Sequence, residues 1–452
     1  MQTLNPTTGK LIRNFSEHSS GEVRSAIERT HAAFVRWRNV PLEDRASLLR
    51  RVASRLRGES RVLAALIVQE MGKPIGQALA EVEKCAVGCD YYADQGAGLL
   101  ASESVATDAT RSYVRFDPIG VVLAIMPWNF PFWQVFRFAA PALMAGNTAL
   151  LKHATNVTGC ALAIERVIRD AGFPADVFNT LLVSSDRVAD VIADPLVRAV
   201  TLTGSDAAGR AVASVAGRHL KKCVLELGGA DPFIVLADAD IEHAAEQAVV
   251  ARTQNNGQSC IAAKRFLVDD SVADEFTAAF VRRMKALHVG DPADERTEIG
   301  PLARHDLRED LHDQVLRSVA AGATVCCGGN HVPGPGFFYQ PTVLSDVQPG
   351  TPAFDEEMFG PVAAVTRVQN PEEAIALANR SAFGLGASLW TRDLSNAERM
   401  AAEIDSGSVF INGIVKSDPR LPFGGVKDSG YGRELSHFGL REFVNIKTVW
   451  VQ

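Results

Sequence analysis

The feature that most constrains the fold of this chain is a regular alternation of short apolar runs with amphipathic segments. Several of the runs have the length and composition of buried parallel strands. They are VVLAIM (121–126), TALL (148–151), VRAVTLTG (197–204) and DPFIVL (231–236). Between them, GCALAIERVIRDAG (159–172) repeats apolar residues at helical spacing and ends at a glycine. This β-α-β order predicts an α/β fold built on a doubly wound parallel sheet.

A second set of the same elements begins after residue 260. Its segments follow in the order KRFLV, SVADEFTAAFVRRMKAL, PVAAVTRV, NPEEAIALANR, GASLWT and GSVFIN. We therefore expect two doubly wound, Rossmann-like α/β lobes, and 452 residues suffice for about three folding units of ordinary size. Residues 101–117 and the final REFVNIKTVWVQ are strand-like but have no obvious partner in either lobe. They are either edge strands or strands that pair with another subunit.

The overall composition excludes several classes of protein. A chain with 47% hydrophobic and 22% charged residues is neither disordered nor fibrous. Its net charge of −7 argues against nucleic acid as a partner, since phosphate binding requires clustered positive charge. No signal peptide is recognisable, and no stretch reaches the roughly 18 uninterrupted apolar residues of a membrane-spanning helix. We expect a cytoplasmic protein, with no membrane association, whose partner is a small molecule.

The seven cysteines predict neither a disulfide framework nor a metal site. Their number is odd, and such frameworks belong to small secreted domains. Cys85 and Cys89 are four residues apart, but no second Cys or His pair lies at the spacing of a zinc site. We expect a reducing compartment in which most of these thiols are buried packing residues.

Cys260 is the cysteine whose surroundings indicate chemistry. It ends the polar turn NNGQSC, and LELGG places Glu226 between two leucines. A carboxylate in apolar surroundings is costly unless it has a partner or a use. Forming a thiolate at neutral pH costs roughly 2 kcal/mol, which a nearby base can offset. Cys260 and Glu226 are thus a candidate nucleophile and base. The alternatives are a core thiol and an ion pair of Glu226 with Lys221 or Lys222.

Two more candidates follow the strand VVLAIM, at the sheet edge where open α/β proteins bind ligands. Asn129 in PWNFPFW can donate an amide hydrogen bond to a developing oxyanion, or it can simply form a turn before Pro131. Arg137 is the only charged residue between positions 118 and 151, so it must meet a buried carboxylate or a bound anion. At this point a salt bridge and an anion site are both open.

A glycine turn at the start of a helix is a candidate phosphate site. In TLTGSDAAGRAVASVAG, Gly204, Ser205 and Gly209 form a G-x-x-x-x-G turn whose backbone N–H groups and helix dipole suit a pyrophosphate. The alternative is a helix start that needs small residues for packing. Lys152 lies at the end of the strand TALL, on the same sheet edge, where a lysine is often merely solvated.

Taken in order, these blocks resemble the aldehyde dehydrogenase superfamily over nearly the whole chain. The matching segments are NPTTGK, PWNFP, LTGS, LELGG, GQSC, EEMFGPV and PFGGVKDSGYGRE. The separation of 34 residues between Glu226 and Cys260 is that of the family's general base and nucleophile. The resemblance implies a homodimer or homotetramer and three parts in each subunit. These are a cofactor-binding domain (residues 1–98 and 119–226), a catalytic domain (227–430) and a β oligomerisation element (99–118 and 431–452).

The resemblance also implies a reaction, NAD(P)-dependent oxidation of an aldehyde to its carboxylic acid. Cys260 would attack the aldehyde to give a thiohemiacetal, whose oxyanion accepts from the Asn129 amide and the Cys260 backbone N–H. Glu226 would activate the water that hydrolyses the thioacyl intermediate.

The cofactor implied is NAD or NADP. Trp128, Ser205, Glu357 and Phe359 fall where the family contacts the adenosine, the pyrophosphate and the nicotinamide ribose and ring. Many NAD-specific relatives carry a glutamate three residues after the lysine that corresponds to Lys152, whereas this sequence has Thr155. A carboxylate there would repel a 2′-phosphate by roughly 4 kcal/mol at about 4 Å. We therefore expect NADP to be preferred or used alongside NAD, with Lys152 and Thr155 at the 2′ position.

For the substrate, LKHATNVTGCA, KKCVLELGGADPFIVL and GRELSHFGLREF are similar to the bacterial succinate-semialdehyde dehydrogenases. The resemblance implies that Arg137 and Ser417 bind the distal carboxylate of the substrate. A second arginine that many such enzymes carry six residues before the cysteine is replaced by Gln254, for which Lys416 or Arg420 would have to compensate.

Other functions remain open from the sequence. The first is a broad-specificity aliphatic aldehyde dehydrogenase in which Arg137 is structural. The second is a catalytically inactive binding protein on the same fold, which the joint presence of Cys260, Glu226 and Asn129 argues against. A CoA-acylating enzyme typically lacks the glutamate, and a cysteine hydrolase would need a histidine base in a matching motif.

Overall fold

Two mainly parallel sheets with helices on both faces form most of the molecule. The computed structural model describes residues 1–452. The strands, numbered in chain order, are β1 Gln2–Leu4, β2 Leu11–Asn14, β3 Glu103–Ser104, β4 Arg111–Pro118, β5 Val121–Met126, β6 Thr148–His153, β7 Phe178–Thr180, β8 Val197–Thr203, β9 Lys222–Glu226, β10 Pro232–Val235, β11 Arg265–Asp269, β12 Thr324–Cys327, β13 Thr342–Ser345, β14 Val362–Val368, β15 Phe383–Gly384, β16 Ala387–Trp390, β17 Val409–Ile411, β18 Val426–Lys427, β19 Gly430–Tyr431 and β20 Val444–Val451.

Fifteen α-helices and three short 3₁₀ helices connect these strands. The α-helices are α1 Ser20–Trp37, α2 Leu42–Gly58, α3 Ser60–Met71, α4 Ile75–Leu99, α5 Trp133–Ala145, α6 Thr158–Asp170, α7 Val188–Ala193, α8 Asp206–Arg218, α9 Ile241–Thr253, α10 Ala273–Ala286, α11 His305–Ala320, α12 Pro352–Asp355, α13 Pro371–Asn379, α14 Leu394–Glu403 and α15 Ser436–Glu442. The 3₁₀ helices are Thr155–Val157, Ser185–Arg187 and Gln254–Gly257. None of the helices is both long and apolar enough to cross a membrane.

The first sheet places a ligand cleft between two of its central strands. Its order is β19-β9-β8-β5-β6-β7, with only β19 antiparallel to its neighbour. From β5 the chain moves outward through β6 and β7, then returns to the other side of β5 for β8 and β9. The carboxyl ends of β5 and β8 therefore form a topological switch point, where doubly wound sheets bind their ligands.

The second sheet is wound in the same way around β10. Its order is β12-β13-β14-β11-β10-β16-β17, and only β12 is antiparallel. Successive residues of β10 pack into different clusters, since Phe233 and Val235 belong to one apolar core and Ile234 to another. Burial on both faces explains why these strands are uniformly apolar rather than alternating. The two sheets agree with the two lobes predicted from the sequence.

A third, antiparallel sheet stands apart from the two lobes. Its order is β20-β4-β3, and β20 pairs along its whole length with β4, from Val444 opposite Pro118 to Val451 opposite Arg111. These are the strand-like segments that lacked a partner in the sequence. In sequence, β19 lies between the second lobe and β20. In the fold it pairs with β9 of the first sheet. The division into three domains and the subunit role of the third sheet stay predictions.

The helix α5 is buried along its whole length and carries several residues of the predicted site. Its start is fixed by Glu81 of α4, whose Oε1 accepts from the backbone N–H groups of Phe132 and Trp133 at 2.8 and 3.0 Å. Its end is Gly146, where φ is +100°. A side chain is strained at that φ, and a Cβ there would lie 2.6 Å from the Arg45 guanidinium. Both ends of the helix are thus set by contacts with the helices α2 and α4.

Candidate active site

A cleft of about 260 Å³ opens at the carboxyl ends of β5, β8 and β9. It is lined by residues from the loops after these strands and from three more distant segments, namely Pro127, Trp128, Asn129, Thr203, Gly204, Ser205, Leu227, Gly228, Cys260, Leu307, Glu357 and Phe359. Seven of the predicted site residues are among them. The chain therefore brings together side chains that lie more than 200 positions apart in the sequence.

Cys260 lies on a turn that the fully buried Lys264 holds in place. The ammonium of Lys264 donates to the carbonyls of Ser259, Cys260 and Ala262 at 2.9, 2.8 and 3.1 Å. The backbone N–H of Cys260 donates to no acceptor of the chain. Burial raises the pKa of the Cys260 thiol to about 12, while the positive charges of Arg137 and Lys264 oppose that rise. The resting thiol is thus protonated and needs a base to become a nucleophile.

Glu226, the last residue of β9, is buried and has no partner. Neither carboxylate oxygen forms a hydrogen bond, and only 2% of the residue is exposed. The sequence left open an ion pair with Lys221 or Lys222, but Lys222 pairs with Glu442 and Lys221 donates to a backbone carbonyl. Burial raises the pKa of Glu226 well above its usual value. An unpartnered buried carboxylate points to a functional rather than a structural role.

The loop that follows β9 connects Glu226 to the turn of Cys260, although Glu226 itself does not line the cleft. A Cβ on Gly229 would lie 2.6 Å from the carbonyl oxygen of Cys260, so that only glycine permits this approach. On the other side, Gly424 has a φ of +154°, and a Cβ there would lie 2.7 Å from Glu226 Oε1. These two glycines let the loops close around the acid and the thiol.

Asn129 is held against the turn that carries Cys260. Its Nδ2 donates to the carbonyl of Gln258 at 3.1 Å, and its own carbonyl accepts from Asn255 Nδ2 at 2.7 Å. The Asn129 side chain is 4% exposed and lines the cleft. One N–H of the amide therefore remains for a ligand oxygen. Both expected oxyanion donors, this amide and the Cys260 N–H, are free to donate.

The residues predicted to hold a dinucleotide form a suitable cradle. Glu357 Oε1 accepts from Gly229 N at 3.0 Å and lies 3.4 Å from the Lys264 ammonium. A Cβ on Gly228 would lie 2.7 Å from Glu357 Oε2, so the absence of a side chain keeps the floor of the cleft open. The rings of Trp128 and Phe359 meet edge to face across 5.7 Å. A planar aromatic ligand and its ribose fit these walls and this carboxylate.

The phosphate turn differs in part from the prediction. Ser205 caps α8, with its Oγ accepting from Ala208 N at 3.3 Å, and Gly204 lines the cleft. Gly209 does not line the cleft but is buried inside α8, where a Cβ would lie 2.6 Å from Leu227. Its lack of a side chain thus serves helix packing, the alternative left open in the sequence, and not a phosphate contact.

Lys152 and Thr155 lie at the sheet edge beyond this cleft. Lys152 is 8% exposed and forms no ion pair with a carboxylate, and burial lowers its pKa. Thr155 opens the 3₁₀ helix Thr155–Val157 and is exposed, with a free hydroxyl. The pair presents a cation and a hydroxyl, which suits a phosphate group, although the charge of Glu17 acts on Lys152.

Arg137 has a carboxylate partner within the chain that the sequence did not reveal. The guanidinium forms an ion pair with Glu434, donates to Thr203 Oγ1 at 3.2 Å and stacks over Phe423 at 4.7 Å. Both partners of the ion pair are at least 95% buried. The ion pair is the salt bridge that the sequence left open, and the assignment of Arg137 to the substrate carboxylate stays a prediction. Nothing in the sequence signalled Glu434 as its partner.

Ser417, the other predicted substrate residue, has a partner that the sequence analysis missed. Its Oγ accepts from Lys84 Nζ at 2.7 Å and from Trp133 Nε1 at 3.1 Å. Lys84 lies in the middle of α4, and nothing in an amphipathic helix singles out one lysine. The two compensating residues considered for Gln254 lie elsewhere, since Arg420 pairs with Asp418 and Lys416 is exposed.

Comparison with known proteins identifies the class. Residues 1–449 match the model of the aldehyde dehydrogenase family, and the chain belongs to that family. The predicted superfamily and fold class are thereby confirmed.

Several individual members of the family are similar to the chain over nearly its whole length. The chain is 53% identical over 449 residues to a probable succinate-semialdehyde dehydrogenase [NADP(+)] of Synechocystis, covering 99% of each chain. It is 50% identical to a succinate semialdehyde dehydrogenase [NAD(P)+] of Escherichia coli, covering 99% of this chain and 97% of that one. The solved structure of the succinic semialdehyde dehydrogenase of Streptococcus pyogenes with NADP+ has a TM-score of 0.97 at 38% identity, covering 100% and 99% of the two chains.

Proposed function

We propose that this enzyme oxidises succinate semialdehyde to succinate with NADP+ as the preferred acceptor. One aldehyde, one water and one NADP+ give the carboxylate, NADPH and two protons. The observation that carries the proposal is the buried, unpartnered carboxylate of Glu226, three residues before the glycine that contacts the turn of Cys260, whose thiol lines the cleft. The names of the closely similar relatives support the choice of substrate and cofactor.

In the first half of the reaction, Cys260 is the nucleophile. The thiol loses its proton to solvent, its sulfur attacks the carbonyl carbon, and the resulting oxyanion accepts from Asn129 Nδ2 and from the Cys260 backbone N–H. Both donors are fixed before the substrate arrives, so that stabilising the oxyanion requires little reorganisation. The positive charges of Arg137 and Lys264 favour the thiolate over the thiol. A nicotinamide held against Trp128 and Phe359 would supply the acceptor for the hydride that leaves the former aldehyde carbon.

In the second half, Glu226 is the general base. Its raised pKa brings it towards the range in which a carboxylate can take a proton from water at neutral pH. The activated water attacks the thioester on Cys260, the C–S bond breaks and the acid leaves. Cys260 is then ready for another cycle.

The cofactor is proposed to lie along the cleft. Glu357 would accept from the nicotinamide ribose hydroxyls, and Trp128 and Phe359 would form apolar walls. Gly204 and Ser205, at the N-terminus of α8, would face the pyrophosphate. Lys152 and Thr155 would face the 2′ position, where Thr155 stands in place of the glutamate that would repel the additional phosphate of NADP+.

We further propose that the enzyme is a homodimer or homotetramer whose subunits meet at the sheet of β3, β4 and β20. Ile446 and Trp450 lie four positions apart on the same face of β20 and are 63% and 47% exposed. Val105, next to β3, is 48% exposed. Large apolar side chains on one sheet are typical of a subunit contact.

The test is a comparison of purified enzyme with succinate semialdehyde and butanal, each with NADP+ and with NAD+. We expect the highest kcat/KM for succinate semialdehyde with NADP+, measured by the absorbance of the reduced nicotinamide. Equal kcat/KM values for the two aldehydes would instead support the broad-specificity alternative. Absence of turnover with any aldehyde would support an inactive binding protein.

A further inference from the structure

Lys84 is a half-buried cation for which the chain supplies no counter-ion. No carboxylate oxygen of the chain lies within ion-pair distance of its ammonium. Glu81, one helical turn earlier, is already occupied by Lys73 and by the first N–H groups of α5. Burial lowers the pKa of Lys84 to about 8. A charge removed from water without a partner is unfavourable, which suggests that an anion binds there.

Ser417 completes an anion-binding arrangement with this lysine. Its hydroxyl oxygen accepts from Lys84 and from Trp133 Nε1, which uses both of its lone pairs. The Ser417 O–H donates to no acceptor of the chain, although the residue is only 8% exposed. The ammonium makes one hydrogen bond and has two further N–H groups. The free donors of the two side chains thus converge on one small volume.

This volume lies outside the dinucleotide cleft, at the start of the helix that follows the Asn129 loop. Trp133, whose ring packs 4.6 Å from the Lys84 ammonium, begins α5 four residues after Asn129. Arg137, one turn further along α5, is close enough that its charge lowers the pKa values of both Lys84 and Cys260. Lys84 and Ser417 themselves are absent from the cleft lining. The far end of an aldehyde whose carbonyl reaches Cys260 can therefore lie against them.

We propose that Lys84, together with the hydroxyl of Ser417, binds the distal carboxylate of the substrate and selects ω-carboxylated aldehydes over uncharged ones. The proposal rests on the proposed function and assigns its specificity to a residue other than Arg137. Arg137 forms an ion pair with Glu434, whereas Lys84 forms no ion pair with a carboxylate of the chain. In succinate semialdehyde, two methylene groups separate the carboxylate from the carbonyl carbon. The carboxylate would bind Lys84 and Ser417 while the carbonyl carbon reacts with Cys260.

The experiment compares Lys84→Met with the wild type on succinate semialdehyde and on butanal. Methionine keeps the length and apolar stem of the side chain but removes its charge. We expect kcat/KM for succinate semialdehyde to fall about 100-fold, chiefly through KM, because a buried ionic contact is lost. For butanal we expect a change of less than about threefold. Lys84→Arg, which keeps the charge, should retain a clear preference for the carboxylated substrate.

Two controls separate this site from general effects of charge. Lys285→Met removes an exposed charge on α10 and should leave both substrates unchanged. Lys416→Met tests the exposed lysine next to Ser417, and a selective loss there, with none in Lys84→Met, would overturn the proposal. Equal losses on both aldehydes in Lys84→Met, or no loss on either, would also overturn it.

The wild-type measurements keep the two proposals apart. A wild type that prefers butanal contradicts the proposed function, and with it the role of Lys84. A wild type that prefers succinate semialdehyde, with the same preference in Lys84→Met, contradicts only the assignment of Lys84. Thermal unfolding of each variant, measured in parallel, shows whether a loss on both substrates is a loss of fold.

Discussion

At the scale of single residues, Glu226 and Lys84 illustrate which roles a sequence can reveal. Glu226 was recognisable because a carboxylate within LELGG is out of place in an apolar strand and stands at a fixed spacing from Cys260. Lys84 was not, because lysine is ordinary on a helix and its partner Ser417 lies 333 positions away. Only the folded chain shows that this lysine is half-buried and has no carboxylate partner. A charged residue within an apolar segment can be recognised from the sequence, whereas the absence of an ion-pair partner in the folded chain cannot.

Replacing Glu226 by glutamine is expected to separate the two halves of the reaction. Hydride transfer needs Cys260 and the oxyanion donors, whereas hydrolysis of the thioester needs the base. We expect a rapid burst of about one reduced cofactor per active site, followed by turnover about 10²–10⁴-fold slower than in the wild type. Stopped-flow absorbance measures the burst, and mass spectrometry of the intact protein detects the acyl group. A uniformly slow reaction without a burst would argue that Glu226 acts before hydride transfer.

Thr155→Glu is expected to shift the cofactor preference towards NAD+. A carboxylate at this position would repel a 2′-phosphate by roughly 4 kcal/mol at about 4 Å. The ratio of kcat/KM for NADP+ to that for NAD+ should therefore fall by at least about 100-fold. Thr155→Gln is the matched control, because it adds similar bulk without charge. If glutamine and glutamate change the ratio equally, size and not charge governs the choice.

The affinity for the carboxylated substrate is expected to fall as the pH rises through about 8. The pKa of Lys84 is lowered to about 8 by burial and by the charges of Arg137 and Lys73, while Cys85 and Glu81 oppose this. Only the protonated ammonium attracts a carboxylate, so binding is favoured below this pKa and lost above it. KM for succinate semialdehyde should rise up to tenfold per pH unit beyond that point, and KM for butanal should not. Lys84→Arg should remove the dependence, since arginine stays protonated.

At the scale of elements, α5 links the site to the chain terminus. Its position after a buried strand was predictable, and so was the need of Arg137 for an anion. The identity of that anion was not, because Glu434 lies in a separate segment that only the tertiary fold brings close. The same holds for Glu81, which fixes the start of α5 from the helix α4. Sequence periodicity yields helices and strands, but it does not say which helix end meets which side chain.

Arg137→Met is expected to destabilise the protein and to impair both aldehydes alike. The substitution leaves Glu434 buried without its cation, which costs about 3–5 kcal/mol. Urea unfolding measures this loss. Replacing Glu434 by leucine in the same protein should recover much of the stability, because an apolar pair tolerates burial. A loss of kcat/KM confined to succinate semialdehyde would return Arg137 to the substrate site.

At the scale of the whole molecule, the alternation of strands and helices predicts the two large parallel sheets. The role proposed for the third sheet depends on which of its side chains are exposed. The two lobes were visible in the sequence as two series of apolar runs. The third sheet was visible only as two strand-like segments without partners, and their pairing across more than 300 residues required the fold. The sequence pattern predicts a strand at β20, but it does not predict that apolar side chains on this strand are exposed.

Ile446→Lys is expected to dissociate the proposed oligomer. A charge in the centre of an apolar subunit contact would have to be buried without a partner. Size-exclusion chromatography with light scattering should show a shift to a smaller species at the same concentration. Val62→Lys is the control, since Val62 is 70% exposed on α3, away from this sheet. An unchanged mass for Ile446→Lys would place the subunit contact elsewhere.

The strand β20 is also anchored to the helix that carries Arg137. The carbonyl of Phe443, the residue before β20, accepts from Asn147 Nδ2 at 2.8 Å, and its ring packs edge to face against Phe138 at 5.7 Å. A strand released from its neighbouring subunit would therefore loosen its hold on α5. Specific activity should then depend on enzyme concentration, so that a highly diluted assay sample would understate the turnover of the same protein at cellular abundance.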